Sequence, residues 1–408
     1  MSKLYYDYPM NTEQKKNDPT ETSHQPALRV LIGGMFGMMV AMGIGRFTFT
    51  PILPLMQRDL GISNSLAGWL ASLNYVGYLA GALLCAVRPR LLQRKCVNVS
   101  ALVGSIATTL LMGLTVSPFW WGILRLFGGV ASALLFVIIA IEVSEVLVSS
   151  RHGHWNSALF SGVGLGIALS GALVPIMDRL GGWSVAWLGM GAVAVVLAAA
   201  GVGLAGKQHG EVQVPHDTVR STGSLKGIRR LAIAYFLEGV GYIVSATFLV
   251  TMIAHTPGLS GFAPWSWVAV GLAAAPSTIF WQLVARRIGV RVTLTLTYLL
   301  QALGIFLSIG AATAFTAGLA AVIFGGTFMG ITALAMAEGT QRAGKEGRRA
   351  AAVMTACFGA GQVVGPPLAG LLADYLGGFS VALMMAGALV AIGGILVATD
   401  NIFNFRHK

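Results

Sequence analysis

Long apolar runs separated by short polar breaks fill nearly the whole chain. A helix that crosses the hydrocarbon core of a bilayer needs about 20 predominantly apolar residues. Runs of that kind, bounded by charges, Pro/Gly turns or polar clusters, number twelve in this sequence. They lie near residues 28–56, 65–87, 97–117, 119–148, 156–178 and 183–205, then near 230–254, 264–288, 291–311, 315–340, 350–375 and 379–400. The pattern predicts an all-α membrane protein with twelve transmembrane helices. Polar segments divide it into a tail (1–27), a six-helix half (28–205), a linker (206–228), a second six-helix half (229–400) and a short tail (401–408). The N-terminal tail lacks the basic start, apolar run and cleavage site of a secretory signal, so it is expected to stay attached and disordered.

Composition agrees with the pattern. Of 408 residues, 55% are hydrophobic and only 10% charged, whereas soluble domains carry about 25% charged residues. The formal charge of +12 would suit nucleic acid, but its placement assigns it to the membrane. With the N-terminus inside, 23 of the 27 Lys and Arg residues fall on the cytoplasmic side. Only Arg58 and Arg179 fall outside, and Arg46 and Arg125 lie within spans. This is the positive-inside bias, and it places both termini in the cytoplasm. No nucleic-acid partner is expected. The three cysteines form no disulfide or zinc pattern. The seven histidines lie mostly in loops and tails, with neither a His-Glu-x-x-His helix nor a Gly-x-Ser-x-Gly elbow. The sequence therefore predicts no enzyme, no metal and no cofactor. A membrane sensor that transports nothing should carry a sizeable soluble domain, and the polar segments here are too short for one.

Shifting the sequence by 196 residues aligns it with itself. Gly43 and Gly45 fall on Gly239 and Gly241, Trp69 on Trp265, Arg90 on Arg286, Gly129 on Gly325 and Glu142 on Glu338. The segment Asp178–Ala186 lands on Asp374–Ala382 with seven of nine residues identical. The two halves read as a duplication, and an even number of spans in each makes them parallel.

Parallel six-helix repeats are the arrangement of major facilitator transporters, in which the substrate site lies between the halves near mid-membrane. The stretch Gly43-Ile-Gly-Arg-Phe-Thr-Phe-Thr-Pro-Ile-Leu-Pro-Leu-Met56, followed by Ala67-Gly-Trp-Leu-Ala-Ser-Leu-Asn-Tyr-Val-Gly-Tyr78, resembles the bacterial YbfB/YjiJ branch of that superfamily. The superfamily resemblance spans residues 28–400. It implies a secondary carrier of a cell inner membrane, monomeric and working by alternating access, with a small-molecule substrate, protons and membrane lipids as its partners.

Charges inside spans single out the candidate site, because intramembrane ionisable groups are costly and usually face a cavity or a partner. Arg46 lies about ten residues before the end of the first span, roughly 15 Å deep at 1.5 Å per residue. Its repeat counterpart is Tyr242, and Glu238 sits one turn away. Arg46 and Glu238 are expected either to pair or to form a substrate and proton site. Arg46 suits an anionic substrate, whereas Tyr75, Tyr78, Phe47, Phe49 and Trp281 leave a broad-range proton/drug exporter open. Arg125, in Arg125-Leu-Phe-Gly-Gly129, resembles a superfamily helix-4 pattern and reads first as a structural arginine bonded to backbone carbonyls. Glu142, Glu145 and Glu338 are expected to latch onto the basic loops around Arg90 and Arg286 when the inner gate is shut; the plainer reading is that those arginines bind lipid phosphates. The glycine series at 162–171 and 361–370 reads as close helix packing. The Gly365-Pro366 pair lies in span 11, whereas the superfamily's antiporters typically carry theirs in span 5.

The orientation is open to direct test. A single cysteine introduced as Pro215→Cys in the linker should resist an impermeant thiol reagent applied to intact cells. Its modification from outside would reverse the topology.

Overall fold

The computed structural model describes residues 19–205 and 225–400, so the segments 1–18, 206–224 and 401–408 lie outside the described residues. Those residues are helical, with no strand among them. In chain order the helices are α1 (Pro19–Met38), α2 (Phe49–Leu60), α3 (Asn64–Val87), α4 (Lys95–Met112), α5 (Pro118–Ser149), α6 (Asn156–Leu159) and α7 (Ser161–Ala205). After the undescribed stretch come α8 (Arg229–His255), α9 (Ala263–Ile288), α10 (Val290–Ile309), α11 (Ala314–Ala343), α12 (Gly347–Leu376) and α13 (Ser380–Thr399). The first helix begins at Pro19, inside the stretch expected to be a disordered tail. Proline at the first helical position forfeits no intrahelical bond.

Among the described residues, ten helical segments are long and apolar enough to cross a membrane. Two of them run to 52 and 63 residues, well beyond the roughly 20 that a single crossing needs. The first is interrupted by non-helical backbone at Gly181 and Gly182 in α7, the second at Gly344 between α11 and α12. Many large apolar side chains stay exposed, among them Phe119, Phe315, Leu180 and Val196. A soluble monomer rarely exposes contiguous apolar surface on this scale; against lipid tails it carries no penalty.

Local sequence sets the helix ends. Ser63 accepts a bond from the Leu66 amide at 3.1 Å and caps α3. Thr313 and Thr316 form a reciprocal capping box at the start of α11. Gly61 closes α2 with φ +65°, a conformation that suits glycine.

The helices before and after the central stretch meet along two seams, α3 against α12 and α7 against α9. Shifting α3 by 196 residues lands it on α9, and the first part of α7 lands on α12, so the seams are counterparts. Glycines let the backbones touch there. A methyl on Gly68 would fall 2.3 Å from the Pro366 carbonyl oxygen, and one on Gly164 would fall 2.4 Å from the Ala275 nitrogen. The close packing expected of the glycine series is therefore present. Between the seams α2 crosses α8, where Thr50 Oγ1 donates to the Ala246 carbonyl at 2.7 Å and Arg46 meets Tyr242. Both contacts join positions 196 apart. Repeat-related positions touch each other only close to the axis that relates them, so α2 and α8 mark that axis.

The α3/α12 seam is clasped at one end by Asp374. Its carboxylate accepts the amides of Asn64 (3.1 Å) and Ser65 (2.8 Å) and the Ser65 hydroxyl. An anion at the first turn of α3 satisfies orphan amides and complements the helix dipole. The repeat counterpart, Asp178, does something different: it pairs with Arg58 at 2.8 Å, a residue of the same half of the chain. The two substitutions should therefore part company. Asp374→Ala should lower the melting temperature in detergent and expose the seam, with a loss of about 1 kcal/mol after allowing for solvent screening. Asp178→Ala should leave the seam closed. Equal labelling of a Leu66→Cys reporter in both backgrounds would show that Asp374 does not hold the seam.

Candidate functional site at the α2–α8 crossing

Arg46 owes its place to a break in the first span. Met39–Ile44 form a π-helical turn, in which Gly45 and Phe47 donate to carbonyls five residues back. One extra residue in a turn re-aims the side chains beyond it by about 100°, and such turns recur at functional sites. The turn lies against α7, where a methyl on Gly43 would come within 2.5 Å of the Gly166 Cα. The kinked stretch after it, ahead of α2, directs Arg46 to the crossing with α8.

There the guanidinium is 3% exposed and enclosed by aromatic rings. Its carbon lies 4.6 Å from the Tyr75 ring centre, 4.5 Å from that of Tyr78 and 5.3 Å from that of Phe47. Cation–π attraction of this kind contributes about 0.5–2 kcal/mol per ring. Across the axis, Nη2 reaches the Tyr242 hydroxyl at 3.5 Å, and that hydroxyl accepts a bond from Gln362 Nε2 at 2.6 Å. Tyr242 lies nearly parallel to Phe328 and Phe358, at interplanar angles of 7° and 5°. Side chains from both sides of the seams thus converge on one cation.

Arg125 is equally buried and lies near Arg46, with Tyr75 as a common neighbour. Its Nε donates to the Leu70 carbonyl at 3.3 Å, and its guanidinium carbon lies 4.6 Å from the Phe49 ring centre. Asn74 Nδ2 donates to the Arg125 carbonyl at 2.9 Å. The backbone bonding matches the structural role read from sequence, yet Nη2 is left without a partner among the described residues.

Glu238 lies elsewhere. Its carboxylate, 1% exposed, accepts Gln301 Nε2 at 2.7 Å, and its other oxygen has no partner among the described residues. The anticipated pairing of Arg46 with Glu238 is absent in this conformation. One turn of α8 separates Glu238 from Tyr242, but the two side chains diverge, Tyr242 toward α2 and Glu238 toward α10. The hydroxyl of Tyr298 and Oε1 of Gln301, both fully buried, also lack partners among the described residues.

Two acids of the expected latch have partners within their own half of the chain. Glu338 is held by Arg342 one turn along its own helix at 2.6 Å, and Arg342 also grips Asp400. Glu142 accepts Asn98 Nδ2 at 3.1 Å. Arg90 and Arg286 are exposed and form no ion pair among the described residues. The spacing of Glu338 and Arg342, i to i+4, is the signal that would have found that pair. Gln362 and Gln301 went unnoticed in the sequence, although each is an isolated polar residue within an apolar span.

Comparison with known proteins places the chain. Residues 38–398 match the family described as "Uncharacterised MFS-type transporter YbfB". The MFS-type transporter YceJ of Bacillus subtilis (strain 168) is 26% identical over 227 residues, 54% of this chain and 57% of the relative. The putative transporter YgaY of Escherichia coli (strain K12) is 26% identical over 176 residues, 41% of this chain and 43% of the relative. The chain thus spans about half the length of the curated relatives it matches. Among solved structures, the nucleoside transporter NupG superposes with a TM-score of 0.68 at 14% identity, covering 94% of this chain and 100% of that one. A point mutant of the same transporter gives the same score, covering 92% and 99%. At that identity the likeness concerns the fold. With an all-helical architecture and a family match over most of its length, the chain belongs to the YbfB family of multi-pass MFS-type transporters.

Proposed function

We propose that the protein is a secondary active carrier that moves a small organic solute across the bacterial inner membrane by alternating access. In this reading it has twelve spans in two parallel six-helix halves, with both termini in the cytoplasm. The observation that carries the reading is the convergence on Arg46: Tyr75 and Tyr78 come from one side of the seams, Tyr242 and Gln362 from the other. A site composed of both halves changes its access whenever the halves rock about it. In this reading the α3/α12 seam closes one side of that site through Asp374, while Arg90 and Arg286 at the opposite end form no ion pair among the described residues. This fits a conformation closed at the Asp374 end.

Glu238 is proposed as the coupling group. Its burial with a single amide donor disfavours the charged form, since a buried ion needs several partners. A conformation that shelters the neutral acid is populated more at low pH, and one that hydrates the carboxylate is populated more at high pH. A proton therefore drives the cycle only through its different affinity for the two states. Spin labels across the seam ends provide the test. Distances across the Asp374 end and across the opposite end should change in opposite directions, and acidification should favour the Asp374-closed population. Glu238→Gln, which imitates the protonated acid, should keep both states and lose the pH response. A single pH-independent distance at each end would contradict alternating access. A pH response retained in Glu238→Gln would remove Glu238 from coupling.

A further inference from the structure

The guanidinium of Arg46 has two kinds of surface, and the structure treats them differently. Its faces are covered by the Tyr75 and Tyr78 rings. Its donors lie in the plane, along the edges, and there the acceptors are poor. Nε has no partner among the described residues, Nη2 reaches the Tyr242 hydroxyl at the outer limit of a hydrogen bond, and the Tyr75 hydroxyl is the other acceptor beside the guanidinium. Nε and Nη2 form one edge of the fork, the edge that binds a carboxylate through two parallel bonds.

Nothing nearby balances the charge. The polar groups that face Arg46 are the neutral phenols of Tyr242, Tyr75 and Tyr78, together with a second cation, Arg125. Among the described residues no acid pairs with either arginine. Glu238, the one acid of α8, is engaged with Gln301. Two buried cations without a counter-ion are expensive in a low-dielectric interior, and a bound anion relieves that cost.

Tyr242 completes the arrangement. It accepts from Gln362 and from Arg46, so its own proton remains available to donate. A carboxylate on the open edge of Arg46 would take that proton as a third bond, linking both halves through the substrate. The rings next to Arg46 and Tyr242 are part of an aromatic cluster: Phe47 contacts Phe328 and Trp267, and Phe358 and Phe328 flank Tyr242. These rings suit a planar apolar body. They offer few groups to a hydrated tetrahedral anion.

We infer that the substrate is a small organic carboxylate, held by its carboxyl group on the Nε–Nη2 edge of Arg46 and by the Tyr242 hydroxyl. The inference rests on the carrier reading and adds to it the class of solute. It also gives the open edge a purpose: the substrate supplies the in-plane acceptors that the protein withholds.

The test compares acids with their uncharged counterparts on purified full-length protein in lipid nanodiscs. Benzoate, phenylacetate and propionate are set against benzamide, phenylacetamide and propionamide, with uridine and inorganic phosphate alongside. At least one carboxylate should raise the melting temperature in a saturable manner and quench tryptophan fluorescence, while its amide does neither at tenfold higher concentration. Arg46→Gln should abolish the response. Arg46→Lys, which keeps the charge and loses the fork, should weaken binding by at least tenfold, and Tyr242→Phe by a smaller factor. If the arginine variants fail to fold, the acid–amide comparison on the unaltered protein still decides. Equal binding of acid and amide, stabilisation by phosphate alone, or no response to any carboxylate would overturn the inference. Saturable binding of uridine, reduced in Tyr242→Phe and indifferent to Arg46→Gln, would overturn the carboxylate and leave the carrier standing.

Discussion

A buried guanidinium with no counter-ion among the described residues is the constraint around which this protein is organised. Arg46 can be kept buried only because ring faces shield it and because neutral phenols supply partial acceptors. Those rings come from α3 and α8, helices on opposite sides of the seams. The cation is therefore comfortable only while the halves are together or while something anionic stands in for one of them. Ordinary cores avoid such a residue; in the proposed carrier it would link occupancy of the site to closure around it.

The duplication explains where this happens. Positions 196 apart meet at the α2–α8 crossing, and Arg46 faces its own counterpart, Tyr242. Duplication supplied two equivalent helices at the axis, and divergence made one basic and the other phenolic. The same divergence shows at the clasped end. Asp374 caps a helix across the seam, whereas its twin Asp178 is neutralised by Arg58 within its own half of the chain. Identical residues in a repeated segment thus do different work, one tying the halves together and the other trimming a surface.

Much of this was legible in the sequence. The spans show because a lipid-crossing helix must be apolar throughout, and the repeat shows because Asp178–Ala186 and Asp374–Ala382 remain nearly identical. Arg46 is visible as a charge inside an apolar run, and the offset alone names Tyr242 as its counterpart. Partnerships across long sequence separations were not legible. Glu238 bonds Gln301, and Asp374 bonds residues 309 and 310 positions away. Which way a side chain turns from a helix depends on packing that no local pattern encodes: Glu238 lies one turn from Tyr242 and still faces another helix. The pairing of Arg342 with Glu338 is a different case. It obeys local spacing and was hidden only by assigning the basic residues to loops.

The central claim is that the α2–α8 crossing is reached from the two sides of the membrane in turn. Ala246 lies in that crossing, 3% exposed, with its carbonyl bonded to Thr50. Replacing Cys85, Cys96 and Cys357 with serine and introducing Ala246→Cys gives a single reporter. Sealed vesicles of uniform orientation are then treated with an impermeant thiol reagent on the outer or the inner side alone. The account predicts modification from either side, with each one favoured under opposite pH conditions. Modification confined to one side under every condition, or absent from both, would contradict it.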